Sequence, residues 1–157
     1  DRDKALELCS SDYDLKKRFD FRSIRIERRL DPDLPPVPCS ANQIEQVLMN
    51  LVKNAAEAML DTPPERRHIH VAARSSEGYL EVSVSDQGCG IRDEDLQKLF
   101  SPFFTTKPEG MGMGLNICRS IIEYHSGRLW VDTNPTGGSI FRFTLPQENA
   151  LDYAPPN

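Results

Sequence analysis

Nothing in this chain approaches the ~18–20 consecutive apolar residues of a membrane span, and no signal-peptide pattern opens it. It has no surplus of positive charge: 19 Lys and Arg against 24 Asp and Glu leave a net charge of −5. That excludes an extended nucleic-acid footprint, which needs a basic surface. There is no internal repeat and no low-complexity stretch, so a solenoid or a linker-like chain is also out. The four cysteines, Cys9, Cys39, Cys89 and Cys118, are scattered. They form no CxxC, and no histidine stands at metal-ligand spacing. Unpaired thiols in a reducing compartment are the expectation, and with them a cytoplasmic location. Cys89 lies between Gly88 and Gly90, as a small side chain where small ones are needed or as a redox handle.

What is present is ordinary globular composition, 38% hydrophobic and 27% charged over 157 residues, enough for one well-packed domain. Residues 1–19 read as the remnant of an upstream helix, Lys4 to Cys9, and a charged linker. Residues 20–147 read as the domain, and 148–157 as a disordered tail, with fraying from Gln147 onward. Within the domain, Phe21 to Leu30 is predicted as a first strand, followed by a proline-rich extended connector. Ser40 fits an N-cap, with the Gln43 side chain reaching back to close a capping box. The helix it opens runs to about Leu60, with Ile44, Val47, Leu48, Leu51, Ala55 and Met59 as its apolar stripe.

Alternation in Ile69, Val71 and Ala73, then in Leu80, Val82 and Val84, gives two strands joined by a hairpin at Glu77-Gly78. A short helix over Asp93 to Leu99 follows, then a loop rich in Phe and Thr. Gly114 to His125 is the second long helix, with Gly127 as its stop. Strands at Arg128 to Thr133 and Ser139 to Leu145 complete an α+β fold: a two-layer sandwich whose mixed, mostly antiparallel sheet is covered on one face by helices.

Three segments carry chemistry. On the first long helix Asn50, Lys53, Asn54 and Glu57 make one polar line opposite the apolar stripe. Asn costs roughly 0.5–0.7 kcal/mol per helix position relative to Ala, so a pair one turn apart is a poor choice for a merely solvated face. An Asn carbonyl is a hard neutral oxygen suited to magnesium that keeps its waters and binds phosphates. An ordinary wet helix face is the alternative.

Asp86 continues the parity of Leu80, Val82 and Val84, which turns its carboxylate toward the covered face. A carboxylate there is costly unless something donates to it, and an adenine amino group would do so. Gly88 and Gly90 leave room for a flat ligand. Ser139 shares parity with Phe141, Phe143 and Leu145 and is placed to support Asp86. The alternative is an Asp bonded back to its own turn.

Gly110-Met111-Gly112-Met113-Gly114-Leu115 stands directly before a helix, whose N-terminus is a ready anion site. It is neither the GxGxxG dinucleotide fingerprint nor a phosphate loop ending in Gly-Lys-Ser/Thr. Between these segments, Phe100-Ser101-Pro102-Phe103-Phe104-Thr105-Thr106-Lys107 reads as a flap anchored by aromatics, with Lys107 as a mobile charge for phosphate, or simply as a loop pinned by Phe side chains. His68 and His70 read as outward strand residues and His125 as a helix C-terminal residue favoured by the dipole. Trp130 reads as packing, and the arginines from Arg25 to Arg29 as a solvated strand face.

These segments resemble the catalytic, ATP-binding domain of two-component sensor histidine kinases, over about Phe21 to Pro146. Asn42 to Met59 is similar to the family's N box, Asp86 to Ile91 to its first glycine box, and Phe100 to Lys107 to its F box. Gly110 to Leu115 is similar to the second glycine box and Thr136 to Ser139 to the last. Pro102 to Lys107 resembles the nitrogen- and oxygen-sensing subgroup. The resemblance implies the Bergerat-type sandwich shared with gyrase, Hsp90 and MutL ATPases.

It also implies ATP and Mg2+ as cofactors, with Asn54 on the metal and Asp86 on adenine. Gly88, Gly90 and Ile91 would line the base pocket, with Ser139 behind Asp86. Phe103, Thr106, Lys107 and the turn from Gly110 through Met111, Gly112, Met113 and Gly114 to Leu115 would enclose the phosphates. Many family members carry Lys where this chain has Glu57, with Lys53 as the compensating cation. The implied catalytic set is Asn50, Lys53, Asn54 and Lys107.

The hydrolytic relatives carry Glu one turn before the metal-binding Asn, to activate water. Here that position is Asn50, which takes no proton. An imidazole nucleophile needs little such activation, so the departure fits transfer to histidine. No segment resembles a phosphoacceptor helix, so the expected partners are a phosphoacceptor and dimerisation domain of a longer, homodimeric parent and a response regulator receiver domain. The stretch itself is expected to be monomeric, to bind no nucleic acid and to touch no membrane, although the parent is free to carry an anchor. A non-catalytic nucleotide-sensing or docking module is the alternative.

Overall fold

The computed structural model describes residues 24–32, 34, 37–96, 98–101 and 114–147. The upstream helix, the start of the first strand at Phe21 and the tail from 148 onward lie outside the described residues. Described strand β1 is Arg25–Leu30, and helix α1 is Ala41–Ala58. A 3₁₀ turn at Pro64–Arg66 leads into β2, His68–Ser76, and β3, Tyr79–Ser85. Then come α2, Asp93–Leu96, α3, Gly114–Tyr124, β4, Arg128–Thr133, and β5, Ser139–Pro146. Among these helices none is long and apolar enough to cross a membrane.

The five strands form one sheet in the order β1-β2-β3-β5-β4. β1 runs parallel to β2, because α1 lies between them as a crossover; the other neighbours are antiparallel. Register decides which face is covered. Val71, Val84, Phe141 and Val131 lie in one row across β2, β3, β5 and β4, and Ala73, Val82, Phe143 and Leu129 in the next. These meet the stripe of α1, with Val47, Leu48, Leu51, Val52, Ala55, Ala56 and Met59 all buried, and Cys118, Ile121 and Ile122 of α3. Each fully buried aliphatic side chain contributes roughly 1.5–3 kcal/mol, so this two-layer contact holds the sandwich together.

The opposite face carries no helix among the described residues. It is laced by charge: Arg142 bonds Asp132 at 2.8 Å and Arg74 bonds Glu81 at 3.0 Å. Trp130, expected to be packing, lies on this face instead, with its Nε1 toward Asp132 and the Arg128 guanidinium 4.8 Å over its ring. His68 and His70 share the face, as the alternation predicts, with Glu27 3.7 Å from the His70 ring.

Several boundaries differ from the sequence reading for physical reasons. The capping box is only half formed. Ser40 Oγ accepts from Gln43 N, but the Ser40 N–H is taken by Nε2 of His125 at 3.0 Å rather than by the Gln43 side chain. α1 ends at Ala58, where Met59 N and Leu60 N bond back three residues to Ala56 O and Glu57 O, and the Ala58 carbonyl accepts from Cys89 N. α2 stops at Leu96, short of Leu99.

α3 ends at Tyr124, and the left-handed residue that closes it is Ser126, at φ 63°, rather than Gly127. Gly127 N bonds Ile122 O and Ser126 N bonds Glu123 O, the Schellman pattern. Gly127 is needed for a different reason: a Cβ there would strike the Thr144 carbonyl of β5. Gln147, expected to fray, is held by Gly78 O and the Ser75 hydroxyl. The hairpin at Glu77-Gly78 is as predicted, with φ of 50° and 86°, the two positive values of a type I′ turn.

Candidate functional site

Asp86 leaves the end of β3 with its carboxylate on the covered face, 2% exposed. The self-bonded turn is present: Oδ1 accepts from Gly88 N at 2.9 Å. It also accepts from Ser139 N at 3.4 Å, so Ser139 supports it through its backbone rather than its hydroxyl. The main chain around it is fixed as well. Asp86 N donates to Ser139 O at 3.0 Å, and Asn134 Nδ2 donates to Asp86 O at 3.0 Å. Asn134, itself buried, accepts from the Thr136 N–H and hydroxyl through Oδ1. A buried carboxylate is tolerable only when donors meet it, and here they come from backbone.

Asn134 and Gly138 belong to this brace; Gly138 falls in the segment that resembles the last glycine box, whereas Asn134 does not stand out from sequence. Asn134 opens a stretch that reads only as a turn. At Gly138, φ is 87° and a Cβ would press on the Asp86 carbonyl and carboxylate, so the second of two adjacent glycines was the available signal. Gly88 has a different duty from the one expected: the space a Cβ would need is filled by Ala58 of α1, not left for a ligand. Gly90, at φ 76°, is open on its Cβ side, with Gly138 O the nearest atom at 3.7 Å. Gly90, Ile91 and Ser139 line an open cleft of about 220 Å³, together with Leu96 and residues 131–134 of β4 and its turn. Neither Asp86 nor any residue of α1 lines it.

Helix α1 relates the parts. The glycine loop after Asp86 touches α1 at Ala58, through Gly88 and the Cys89 N–H. The start of α3 touches α1 at Asn50, where a Cβ on Gly114 would be 3.9 Å from the Asn50 side chain. Asn54 lies midway, one turn from each contact, about 6 Å along the axis either way. Lys53, Asn54 and Glu57 are half-buried on α1 between them. Leu115 packs partly buried against the core.

Asn50 also hydrogen-bonds Cys118 on α3, whose thiol reaches the Val47 carbonyl at 3.8 Å. Burial pushes the Cys118 thiol up to about 12, against the lowering effect of Asn50, so it remains protonated at neutral pH. Cys39, Cys89 and Cys118 are free thiols, the first two exposed.

Phe100 begins the aromatic loop as an anchor. It meets Phe141 edge-on at 6.5 Å, and the Arg119 guanidinium of α3 lies 5.7 Å from its ring centre. Phe103, Thr106, Lys107, Gly110, Met111, Gly112 and Met113 lie outside the described residues. The structure therefore places Gly88 and Gly114 against α1, on either side of Asn54, and gathers Gly90, Ile91 and Ser139 around the cleft beyond the glycine loop.

Comparison with known proteins identifies the family of the fold. The family described as Histidine kinase-, DNA gyrase B-, and HSP90-like ATPase matches residues 39–149. Sensor protein FixL of Bradyrhizobium diazoefficiens is 46% identical over 126 residues, covering 80% of this chain and 25% of that protein. Sensor protein TdiS of Thauera aromatica is 43% identical over 126 residues, 79% of this chain and 23% of that protein. The chain thus spans about a quarter of the length of these curated relatives. Among solved structures, the nucleotide-free catalytic domain of histidine kinase ThkA superposes with a TM-score of 0.75 at 32% identity, over 92% of this chain and 91% of that one.

Proposed function

Because this chain belongs to the histidine kinase-, DNA gyrase B- and HSP90-like ATPase family, we propose that it binds Mg-ATP and transfers the γ-phosphate to a histidine on a separate phosphoacceptor and dimerisation domain, for relay to a response regulator. The observation that carries this reading is the order of contacts along α1: phosphate-turn helix at Asn50, amide at Asn54, base loop at Ala58.

In this reading Asp86 accepts the adenine amino group. Its carboxylate is already oriented by Gly88 N and Ser139 N, so little ordering remains to be done on binding. Asn54 is the residue that would hold magnesium. Among the described residues no three His, Cys, Asp or Glu side chains gather as metal ligands. A single neutral amide fits an ion that keeps its waters and takes its remaining oxygens from phosphates. When bound, the ion supplies neutralisation of phosphate charge. Leu115 and Gly114 open the helix beneath the phosphate side, and Lys53 is the described cation on the same line of α1.

The chain's own residues do positioning rather than proton transfer. Asn50 stands one turn before Asn54, is occupied with Cys118, and takes no proton, so a bound water has no base there. A neutral imidazole brought in by another domain needs none.

The test is transfer of labelled phosphate from ATP to a separately supplied phosphoacceptor domain of a relative. Acid-labile, base-stable label on its histidine is the expected result, with little free phosphate from the chain alone. Rapid phosphate release by the chain alone, abolished by Asn50→Ala, would make it an ATPase instead. Nucleotide binding without transfer would favour a sensing or docking module.

A further inference from the structure

The Ser40 N–H and the His125 ring make a contact that the family reading does not use. Ser40 is the N-cap of α1, and all three of its polar groups are engaged. Its hydroxyl accepts from Gln43 N and its carbonyl from Ile44 N, while its N–H donates to His125 Nε2 at 3.0 Å. On the other side of the ring, Nδ1 is 2.8 Å from the Ile121 carbonyl, one turn back in α3. A backbone N–H can only donate and a carbonyl can only accept. The ring is therefore neutral, with its proton on Nδ1. That differs from the cationic helix-end role a C-terminal histidine suggests.

We propose that His125 is a positioning residue for α1, a latch that ties the helix bearing Asn50 and Asn54 to the helix that follows the phosphate turn. The two hydrogen bonds span 85 residues of chain through one ring. They join the last turn of α3 to the first of α1, while Asn50 and Cys118 join the same two helices further along. Held at two points, the helices keep one spacing, and Asn54 is placed relative to Gly114.

The latch holds only in the neutral ring. An imidazolium carries N–H on both nitrogens, so Nε2 would face the Ser40 N–H donor to donor.

The C-terminal end of α3 favours a charged ring and the N-terminal end of α1 opposes it. The first turn of α1 has no acidic residue and the last turn of α3 no basic one. Glu123 is paired with Arg119 at 3.3 Å, Tyr124 meets the ring edge-on at 5.6 Å, and the exposed Cys39 precedes Ser40. Arg128, at the start of β4, is turned onto Trp130.

Two measurements test this on the intact chain. Nitrogen-15 NMR of the imidazole should report the Nδ1–H tautomer at pH 8, with coupling from the Ser40 amide to Nε2; an Nε2–H tautomer overturns the proposal. Mg-ADP affinity should then be compared from pH 8 to 5.5 between the wild type and His125→Gln, whose amide oxygen accepts from Ser40 without titrating. The nucleotide's own ionisation is common to both, so the difference isolates the ring. The wild type should lose about fivefold more affinity in acid, the scale of one neutral hydrogen bond. Parallel profiles overturn the positioning role even if the tautomer is as stated.

The affinity arm rests on the nucleotide reading. If neither protein binds Mg-ADP at pH 8, that reading fails, and the side-chain amide resonance of Asn54 decides the latch. Its movement with acid in the wild type alone supports the latch, and its indifference overturns it.

Discussion

At the Ala58 end of α1, backbone meets backbone. The Cys89 N–H is bonded to the Ala58 carbonyl, Gly88 is pressed against the same peptide, and Asp86 is fenced by the main chain of Gly88 and Ser139. At the Asn50 end, side chain meets side chain: an amide on a thiol, beside a glycine with space to spare. Main-chain bonds survive most substitutions, because every residue but proline carries the same groups. Side-chain bonds change with every substitution. The Ala58 end is therefore built to tolerate side-chain change, while the Asn50 end depends on which side chains stand there.

The sharpest way to break this contrast is Gly88→Ala. Its Cβ would occupy the place of the Ala58 peptide, so the loop must leave the helix. We expect a loss of about 3 kcal/mol or more in urea unfolding, the range of severe core mutations, with nucleotide binding lost. Retained stability would show that the loop has room to move and that the base end is not rigid.

Next in size is Asp86→Ala, expected to weaken ATP and ADP binding by about 1.5–3 kcal/mol, the scale of a charged hydrogen bond. Titration calorimetry measures it, and equal affinities would remove Asp86 from the site.

At the other end, Cys118 links stability to alkaline pH. The thiol ionises near 9.0 when unfolded and about 12 when buried, so the unfolded chain sheds a proton that the native one keeps. Stability is full below pH 9 and falls as pH rises toward 12, by about 1.4 kcal/mol per unit. Cys118→Ala should flatten that slope in unfolding midpoints taken across the range. An unchanged slope would mean that the thiol is not sealed between α1 and α3.

The smallest effect is expected from Gly114→Ala, where the new methyl makes ordinary contact with Asn50 at 3.9 Å. Helix propensity favours Ala by up to ~1 kcal/mol, so the melting temperature should hold or rise slightly. A large loss would place the Asn50 end in the same rigid class as the Ala58 end.

Local patterns in the sequence carried the architecture. The stripe of α1, the alternation of β2 and β3 and the Glu77-Gly78 turn all depend on residues within a few positions of one another, and each is found where the pattern put it. The parity argument also turned Asp86 and Ser139 to the same face. What escaped was tertiary. Gln43 has the right chemistry to close the capping box, but His125, 85 residues away, takes the bond. Gly127 has the right identity for a left-handed stop, but Ser126 adopts it, because Gly127 is needed flat against β5. Asn134 reads as a turn residue until its amide is seen on the Asp86 carbonyl. In each case a local rule named a capable residue, and packing from a distant element chose another.

The position of β5 in the sheet also has a kinetic meaning. β2 and β3 form a hairpin that closes locally, on the order of microseconds. β5 comes later in the chain and must enter between β3 and β4. The bond from Ser139 N to the Asp86 carboxylate closes a separation of 53 residues, and such long-range contacts form only after their loop-closure entropy is met. The hairpin carrying Asp86 is therefore made early, and its carboxylate, turned locally by the Gly88 N–H, gains the Ser139 donor only when the last strand docks. Until β5 docks, the brace on the Asp86 carboxylate lacks its cross-sheet half, so the complete brace belongs to the finished domain alone.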